Sequence, residues 1–590
     1  MVLNSSSADS LRDTHANAPQ MSNVTRYLCA AAYLDSGFRD RVLGELLSDP
    51  YRAVPPSYGG FDLMPVLHHC RRSRTMLVVR DGLIAGFWII GFLMAPLSAI
   101  TWAFALIPFV LLTADRVRRG PLFLRLLIWL WAGYSVVSLL FLVFLSEAVG
   151  LVGGLVSGLL AGPSSYDDLY GAGAASSSLA SGLVQSLLIP AGTLGIAVVY
   201  RIAIYMTLAG TLRPGTPEPI TRVTHPKTGR RLDYIRRAQW GNVTMYANED
   251  AFMGAGTIER SWSIAVELDR VRDGLGGRRQ DDPVDIDPVE LHAFVRGRLV
   301  DMRDRVLRPN EGIQRLDLGD HVVTRGIFTV NDWHRDRASV AHPFIGKDGL
   351  PRSLATPEEI AAIARHPQGG VRYYQRVTIN NAGQEIRDLR GNLVAPAEDQ
   401  EALTSAFIYL AVEGRMLYTQ FVVTVLPPAF GPYHVVDRLP TMTGGRIAWE
   451  AVRVLRLRLL RDVLAAPVRV VRTGVQAVRQ NMMAPDPGKH IVYPYGSRFS
   501  VRELGASEDL QTHIQVLDMA KYIRMIEQRL TKAVLDFLEE RQVETGAYRL
   551  QAAGVTMNTV SVGAGGSVSG PIAFGQHASA TVHNNARPGS

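Results

Sequence analysis

A chain of 590 residues with a formal net charge of +8 has room for two or three structural units. Its two cysteines, Cys29 and Cys70, exclude a disulfide scaffold and point to a reducing compartment. The cations are almost all arginine, and the only lysines are Lys227, Lys347, Lys489, Lys521 and Lys532. Spread along the chain without a recognisable module, that positive charge does not by itself define a nucleic-acid partner.

Residues 1–20 are polar and lack the apolar core of a signal peptide, so they read as a disordered N-terminus, with structure beginning after Met21. Residues 21–80 read as a small helical, membrane-proximal unit. Helical patterns cover Thr25–Ala32 and Phe38–Leu47 and lead into the turn-rich AVPPSYGG. His68, His69 and Cys70 have no second ligand cluster to converge with, so no metal site is expected.

Residues 81–210 carry the membrane signal. Gly82 to Leu112 is a run of 31 residues without a charge. As one helix it would be roughly 46 Å long, well beyond the ~30 Å of a bilayer core. Pro96 lies near its middle and removes a backbone donor, so two short helices meeting near Pro96–Ser98 are expected, with one long tilted span as the competing reading. Arginines flank both ends (Arg71, Arg72, Arg74 and Arg80; Arg116, Arg118, Arg119 and Arg125), which places both ends on the cytoplasmic side. Leu126–Leu145 supplies a further span, and Ser146–Gly182, with no Lys or Arg, suits an external loop. Leu183–Leu208 is the last span. It contains Pro190 and the intramembrane cation Arg201, which reads mainly as a side chain reaching toward the cytoplasmic interface. The fold class expected here is an α-helical membrane region of about four helices, one pair hairpin-like, in the plasma membrane with both termini cytoplasmic. Gly154, Gly158 and Gly162 repeat at helical spacing and form a candidate packing face, unless they belong to a Gly-rich loop.

Residues 214–440 read as a cytoplasmic α+β domain. Strand patterns cover Ala238–Tyr246, Trp262–Leu268, His321–Val330 and Val371–Ile379, and a hairpin joins Ala406–Val412 to Met416–Val425 through Glu413 and Gly414. Helices are expected at Pro288–Arg305 and Pro357–Arg365. Residues 441–550 form a segment of long C-terminal helices. Arg446–Met483 is basic and amphipathic, suited to packing on the domain or to lying on an anionic membrane. Asp509–Glu540 carries an apolar seam at Leu510, Ile514, Leu517, Ile523, Ile526, Leu530, Val534 and Phe537 that permits coiled-coil association.

The sequence contains no P-loop, H-E-x-x-H, cysteine-pair zinc pattern, EF-hand loop or G-x-S-x-G elbow. The acids Asp281, Asp282, Asp285, Asp287 and Glu290 read as a solvated loop and helix start, and Asp332–Asp336 offers an acid–base combination without partners. No catalytic residue, metal ligand or cofactor is therefore assigned. The expected partners are the lipid bilayer and a second copy of the chain, met through the membrane glycines, the C-terminal helix or the tail.

Residues 551–590 form an uncharged Gly/Ser/Val-rich, low-complexity tail, free of Asp, Glu, Lys and Arg as far as Ala586. Val560-Ser561-Val562-Gly563 and Ile572-Ala573-Phe574-Gly575 resemble the bacterial amyloid signalling motifs, although Ser561 and Ala573 stand where those motifs carry glutamine. That resemblance implies self-association of the tail through Val560, Val562, Gly563, Ile572, Phe574 and Gly575. More broadly, TRYLCAAA (Thr25–Ala32), AVPPSYGG (Ala53–Gly60), YPYGS (Tyr493–Ser497) and the tail's V-x-V-G run resemble a group of uncharacterised actinobacterial multi-pass membrane proteins. The expectation is a membrane-anchored cytoplasmic scaffold or signalling protein, with a channel or transporter subunit as the alternative. A deep pocket with converging polar groups in residues 214–440 would favour a tethered enzyme instead. Truncation at Leu550 is expected to abolish clustering at the membrane, seen as fluorescent foci, without releasing the protein; foci that persist would remove the tail's role.

Overall fold

The computed structural model describes residues 20–557 apart from 95, 113–120, 124, 136, 139–167, 220–225, 272–282, 309–310, 330–342, 347, 456–457, 483–486 and 488–491. Gly154, Gly158 and Gly162, Asp332–Asp336 and the six tail residues all lie outside the described residues. The chain divides into two units. The first comprises residues 1–69, 214–434 and 485–590; the second comprises residues 70–213 and 435–484.

The first unit opens with two capped helices, α1 (Asn23–Leu34) and α2 (Ser36–Leu47). The Ser22 hydroxyl accepts from the Thr25 amide, and the Asp35 carboxylate accepts from the amides of Gly37 and Phe38. Ten of the twelve α1 residues are buried, which accounts for the small, uncharged run Cys29–Ala32. α6 (Pro226–Ala238) lies beside α2 and carries the buried Arg231. Its guanidinium donates to the carbonyls of Leu46 (2.7 Å), Pro50 (3.0 Å) and Arg52 (2.7 Å), satisfying acceptors that the end of α2 leaves open.

A six-stranded mixed sheet follows in the order β1 (Val243–Tyr246), β3 (Leu316–Arg325), β5 (Val371–Gly383), β8 (Glu398–Glu413), β9 (Met416–Leu426), β2 (Thr257–Glu267). Only β1 and β3 run parallel; every other pair in this sheet is antiparallel. The β8–β9 turn holds both Gly414 and Arg415 at positive φ (56° and 67°), the backbone of a tight two-residue hairpin. Two small ribbons complete the strands: β4 (Ile327–Thr329) with β10 (Val492–Pro494), and β6 (Ile386–Arg387) with β7 (Leu393–Ala395).

Alternation sends Val377, Ile379, Ala406, Ile408, Phe421 and Val423 to one face. There they pack under α7 (Pro288–Asp304), α11 (His513–Glu540) and α12 (Gly546–Met557), with α8 (Pro357–Arg365) packed over the β1, β3 and β5 side. α8 and α11 both begin with a reciprocal capping box, Thr356 with Glu359 and Thr512 with Gln515. In α11 the buried seam starts only at Met519; Ile514 and Leu517, which the sequence placed in it, are exposed. α12 runs to Met557, so residues 551–557 belong to the folded body: Tyr548 is fully buried, and Ala552 and Val555 pack on the core. A truncation that spares the fold therefore ends after Met557.

The opposite face of the sheet, with Val323, Tyr374, Phe407 and Val422, is covered by Tyr58, Ala255 and their neighbours. Two of the short sequence signatures meet nearby. The Tyr495 carbonyl accepts from Ala53 at 2.7 Å, the Gly326 carbonyl accepts from Tyr495 at 2.7 Å, and Ser497 exchanges two backbone bonds with β1 and its next residue, each 2.9 Å. Gly326 and Gly496 touch back to back: a Cβ on Gly326 would lie 2.3 Å from the Gly496 Cα. Only glycine fits such an approach.

The second unit is built on α3 (Leu63–Met94), α4 (Pro96–Leu112), α5 (Asp168–Thr211), α9 (Gly444–Arg453) and α10 (Arg458–Met482). One helix ends at Met94 and the next begins at Pro96, where the missing N–H costs nothing at a first-turn position. α3 starts at Leu63 in the first unit, so the first apolar stretch is the second half of a longer helix rather than a separate element. α5 begins at Asp168, so the last part of the expected external loop is helical. Among the described residues, two segments are long and apolar enough to cross a membrane, Leu63–Met94 and Pro190–Thr211; Trp102–Leu112 is apolar but shorter. Two candidate spans are thus seen among the described residues, and residues 139–145 of a further expected span lie outside them. Of Leu126–Leu145 the described part, up to residue 138, is helical and leaves Trp129, Trp131 and Tyr134 exposed.

Ile84 and Trp88 of α3, Leu194 and Ala197 of α5, and Leu459, Val463 and Ala466 of α10 form one apolar contact. The Phe87 ring lies against Gly192, where a Cβ would come within 2.6 Å of it. The close helix approach in the described residues is thus at a glycine that the sequence reading passed over. At the edge of this contact the buried Asp81 carboxylate accepts from Arg80 (2.7 and 2.9 Å) and from Arg469 of α10 (2.7 and 3.0 Å). Removing the carboxylate would leave the Arg80 and Arg469 guanidiniums with the half-exposed Asp462 in place of a buried partner, and breaking a buried pair costs about 3–5 kcal/mol. Asp81→Ala is accordingly expected to lower the melting temperature of the full chain, read by thermal unfolding in detergent, while Val79→Ala at an exposed position leaves it unchanged.

Candidate functional site

The site is a cleft of about 1180 Å³ in the first unit, with Asp62, Glu218, Tyr234, Arg236, Trp240 and Arg352 among its lining residues. Asp62 occupies the turn before α3. Its carboxylate accepts from the Met64 amide at 2.7 Å, which starts the helix, and from Gln239 Nε2 at 3.0 Å, while its own amide donates to Thr25 Oγ1 at 3.0 Å. Gln239 is buried and doubly engaged, since its Oε1 also accepts from the Leu63 amide at 2.8 Å. Asp62 is therefore a fixed wall.

Glu218 faces Asp62 across a side-chain hydrogen bond. Partial burial, and then the Asp62 charge, push the Glu218 carboxyl up to about 7 from an ordinary 4.5. A carboxyl that is partly buried beside another acid ionises less readily, so Glu218 keeps its proton to a higher pH than an ordinary glutamate. Tyr234 is buried, and desolvation holds its hydroxyl neutral. Trp240, by contrast, is exposed and follows the last turn of α6.

The far wall is tied to β1 by Asn242. Its Oδ1 accepts from the Ala355 amide at 2.8 Å and its Nδ2 donates to the Ala355 carbonyl at 3.1 Å. Gly241 approaches Ser353 so closely that a Cβ would lie 2.0 Å from its carbonyl oxygen. Arg352 is held by a two-pronged pair to Glu359 at 2.7 and 2.8 Å, which keeps the Glu359 carboxyl below its usual range. The cleft therefore combines a pair of adjoining acids, one of them with a raised pKa, with an exposed indole and guanidinium groups. Such a set can bind a polar ligand and take up or release a proton.

Other titratable clusters are structural. His321 is fully buried: Tyr58 Oη lies 2.6 Å from its Nδ1 and the Ala251 carbonyl 2.9 Å from its Nε2, and burial pulls the ring down to about 3. His434 Nε2 lies 3.1 Å from the Glu401 carboxylate, and Glu401 sits at φ 57°, a conformation non-glycine residues rarely adopt. That pair and Arg502, which donates to the carbonyls of Glu401 and Pro427 at 2.9 Å each, hold the chain leaving β9.

Of the residues singled out in the sequence, Arg201 is described. Its guanidinium lies 5.0 Å over the ring of Tyr205, one turn nearer the C-terminal end of α5. His69 hydrogen-bonds Tyr33 at 2.9 Å, and Cys29 and Cys70 are buried and not joined in a disulfide. No cluster of His, Cys, Asp and Glu suited to a metal occurs among the described residues. Asp287 caps α7 and pairs with Arg365. The sequence reading missed Asp62, Glu218 and Trp240. One signal was available for Asp62, an acid immediately before an apolar helical run; nothing local marks Glu218 as its neighbour.

Fold and site together define an α+β domain with a ligand-sized cleft, continuous through one helix with a set of apolar helices. The chain belongs to the AbeC-like domain family, whose model matches residues 261–569, slightly more than half of its length. The match takes in the Gly346–Leu354 wall of the cleft and leaves Asp62, Glu218 and Trp240 outside. No curated protein and no solved structure matches the chain.

Because the folded state binds the Glu218 proton more tightly than the unfolded state, this group adds stability below about 4.5 that is lost as pH rises through about 7. Glu218→Gln keeps a hydrogen-bond donor toward Asp62 and removes the titration. The fall in melting temperature between pH 4.5 and 7 is expected to be smaller in Glu218→Gln than in the unsubstituted chain; parallel curves would show that Glu218 does not hold its proton above the ordinary range.

Proposed function

We propose that this protein is a membrane-anchored scaffold or signalling component in which the cleft reads a small polar ligand and α3 carries the response toward the bilayer. The observation that carries this reading is α3 itself. Its first turn is set by Asp62, a wall of the cleft, and the same 32-residue helix continues into the apolar stretch from Gly82. A change in charge at the Asp62–Glu218 pair acts on the amide that starts this helix.

Anchoring is supported by the exposed apolar surface of the second unit: Ile89, Ile90, Phe92, Leu93 and Met94 on α3, Phe104 on α4, and Leu126, Leu127 and Leu130 beyond them. The arginines flanking the apolar segments support a cytoplasmic domain and several passes. The resemblance to actinobacterial multi-pass membrane proteins agrees with this, and the uncharged tail after Met557 fits self-association of the anchored chain. Arg201, inside one candidate span, favours a second reading as a channel or transporter subunit, but its side chain lies toward the helix end rather than across the span.

The full-length chain is expected to remain with membranes after an alkaline wash, and amide exchange along residues 63–80, corrected for intrinsic rate, to rise on passing pH 7. The rise should vanish in Glu218→Gln. Release by the wash overturns the anchor; a rise that Glu218→Gln leaves intact overturns the link from cleft to helix. Solute flux through vesicles that is lost in Arg201→Ala would replace signalling with transport.

A further inference from the structure

α10 carries two apolar stripes. Leu459, Val463 and Ala466 form the first and are packed against α3 and α5. The second is Val468, Val471, Val475 and Val478, exposed to 68%, 66%, 60% and 58%. Their three-four-three spacing sets them on one face, and at ~100° per residue that face points well away from the packed stripe. The change-over falls at Pro467, inside the helix, between the last residue of one stripe and the first of the other. Arg461 and Arg472 are exposed along the side adjoining the valines. From Val463 to Met482 the helix contains no acidic residue.

We propose that the outer stripe of α10 lies in the plane of the membrane, with the four valines set among the lipids and Arg461 and Arg472 on anionic headgroups. The inference rests on the anchoring reading above and adds a second, peripheral mode of lipid contact. Two features select a bilayer over a protein partner. Beyond Asp462 the helix carries positive charge without acids, which complements an anionic leaflet. The helix that α10 packs on, α3, also leaves its apolar residues exposed, so the valines extend a surface already suited to lipid. The arginine stems reach along that surface while their heads remain in the headgroup layer.

The test uses the full chain in vesicles carrying a spin-labelled lipid quencher, with an environment-sensitive fluorophore on Val475→Cys, Ile90→Cys or Gln476→Cys. Native Cys29 and Cys70 are buried, which confines labelling to the introduced position. Expected are a blue shift and strong quenching at positions 475 and 90 in vesicles containing phosphatidylglycerol, little quenching at 476, and weaker quenching at 475 in phosphatidylcholine alone. Quenching at 90 without quenching at 475 overturns the inference and leaves the anchor standing. Absence of quenching at both overturns the anchor. A blue shift at 475 that resists the lipid quencher and grows with protein density assigns the stripe to a second copy of the chain and overturns the lipid reading. Equal quenching in both lipids overturns the role of the arginines.

Discussion

The constraint on which this molecule depends is that one helix begins in a packed core and ends in an exposed apolar run. α3 begins at Leu63 within the packed first unit and ends at Met94 in a run of exposed apolar residues. The last charges before that run are Arg80 and Asp81, and neither can be left alone where the surroundings are apolar. Asp81 is therefore held between Arg80 and Arg469, with Asp462 3.6 Å from Arg469 and 3.8 Å from Arg80, and the Arg80 guanidinium covers the ring of Tyr200 at 4.6 Å. This cluster brings α10 and α5 to the same turn of α3. The apolar contact of Ile84, Ala197, Val463 and Ala466 can then close beside it.

In the first unit the corresponding role falls to backbone rather than charge. The Ala53–Gly60 segment covers one face of the sheet without being a strand of it, so its amides and carbonyls need partners elsewhere. The Tyr493–Ser497 segment supplies them for Ala53, and Gln239 supplies one for Ser57 at 2.8 Å. Gly326 and Gly496 allow the approach, and the phenol of Tyr493 reaches Asp49 at 2.8 Å. These short signatures are thus explained by packing. The chemistry lies in other residues, where an acid that starts a helix meets a second acid from a distant part of the chain.

In the proposed reading, coupling the cleft to α3 needs no long relay. The carboxylate beside Glu218 is the one that accepts from the Met64 amide in the first turn of the helix, so a change of charge on Glu218 is felt directly at the helix start. A cationic ligand group would favour the ionised form of Glu218, and an anionic one would favour its protonated form. The exposed indole of Trp240 offers a flat face for the remainder of such a ligand.

Periodicity by itself determined the elements. Alternation marked Trp262–Leu268, Val371–Ile379 and the β8–β9 hairpin, and a proline at the first turn marked the starts of α7 and α8, because these signals act within a few residues. The uncharged run from Gly82 to Leu112 and its break at Pro96 were legible for the same reason. Tertiary structure alone decided the rest. It joined the first apolar run to the helix beginning at Leu63, since no local signal stops a helix between them. It extended the folded body to Met557 by packing Ala552 and Val555 on the core, although that stretch reads as tail by composition. It brought Glu218 to Asp62 and Arg469 to Asp81, partners separated by 156 and 388 residues along the chain. A carboxyl's neighbours, and hence its charge, are set by distance in space, and no local spacing in a sequence encodes that distance.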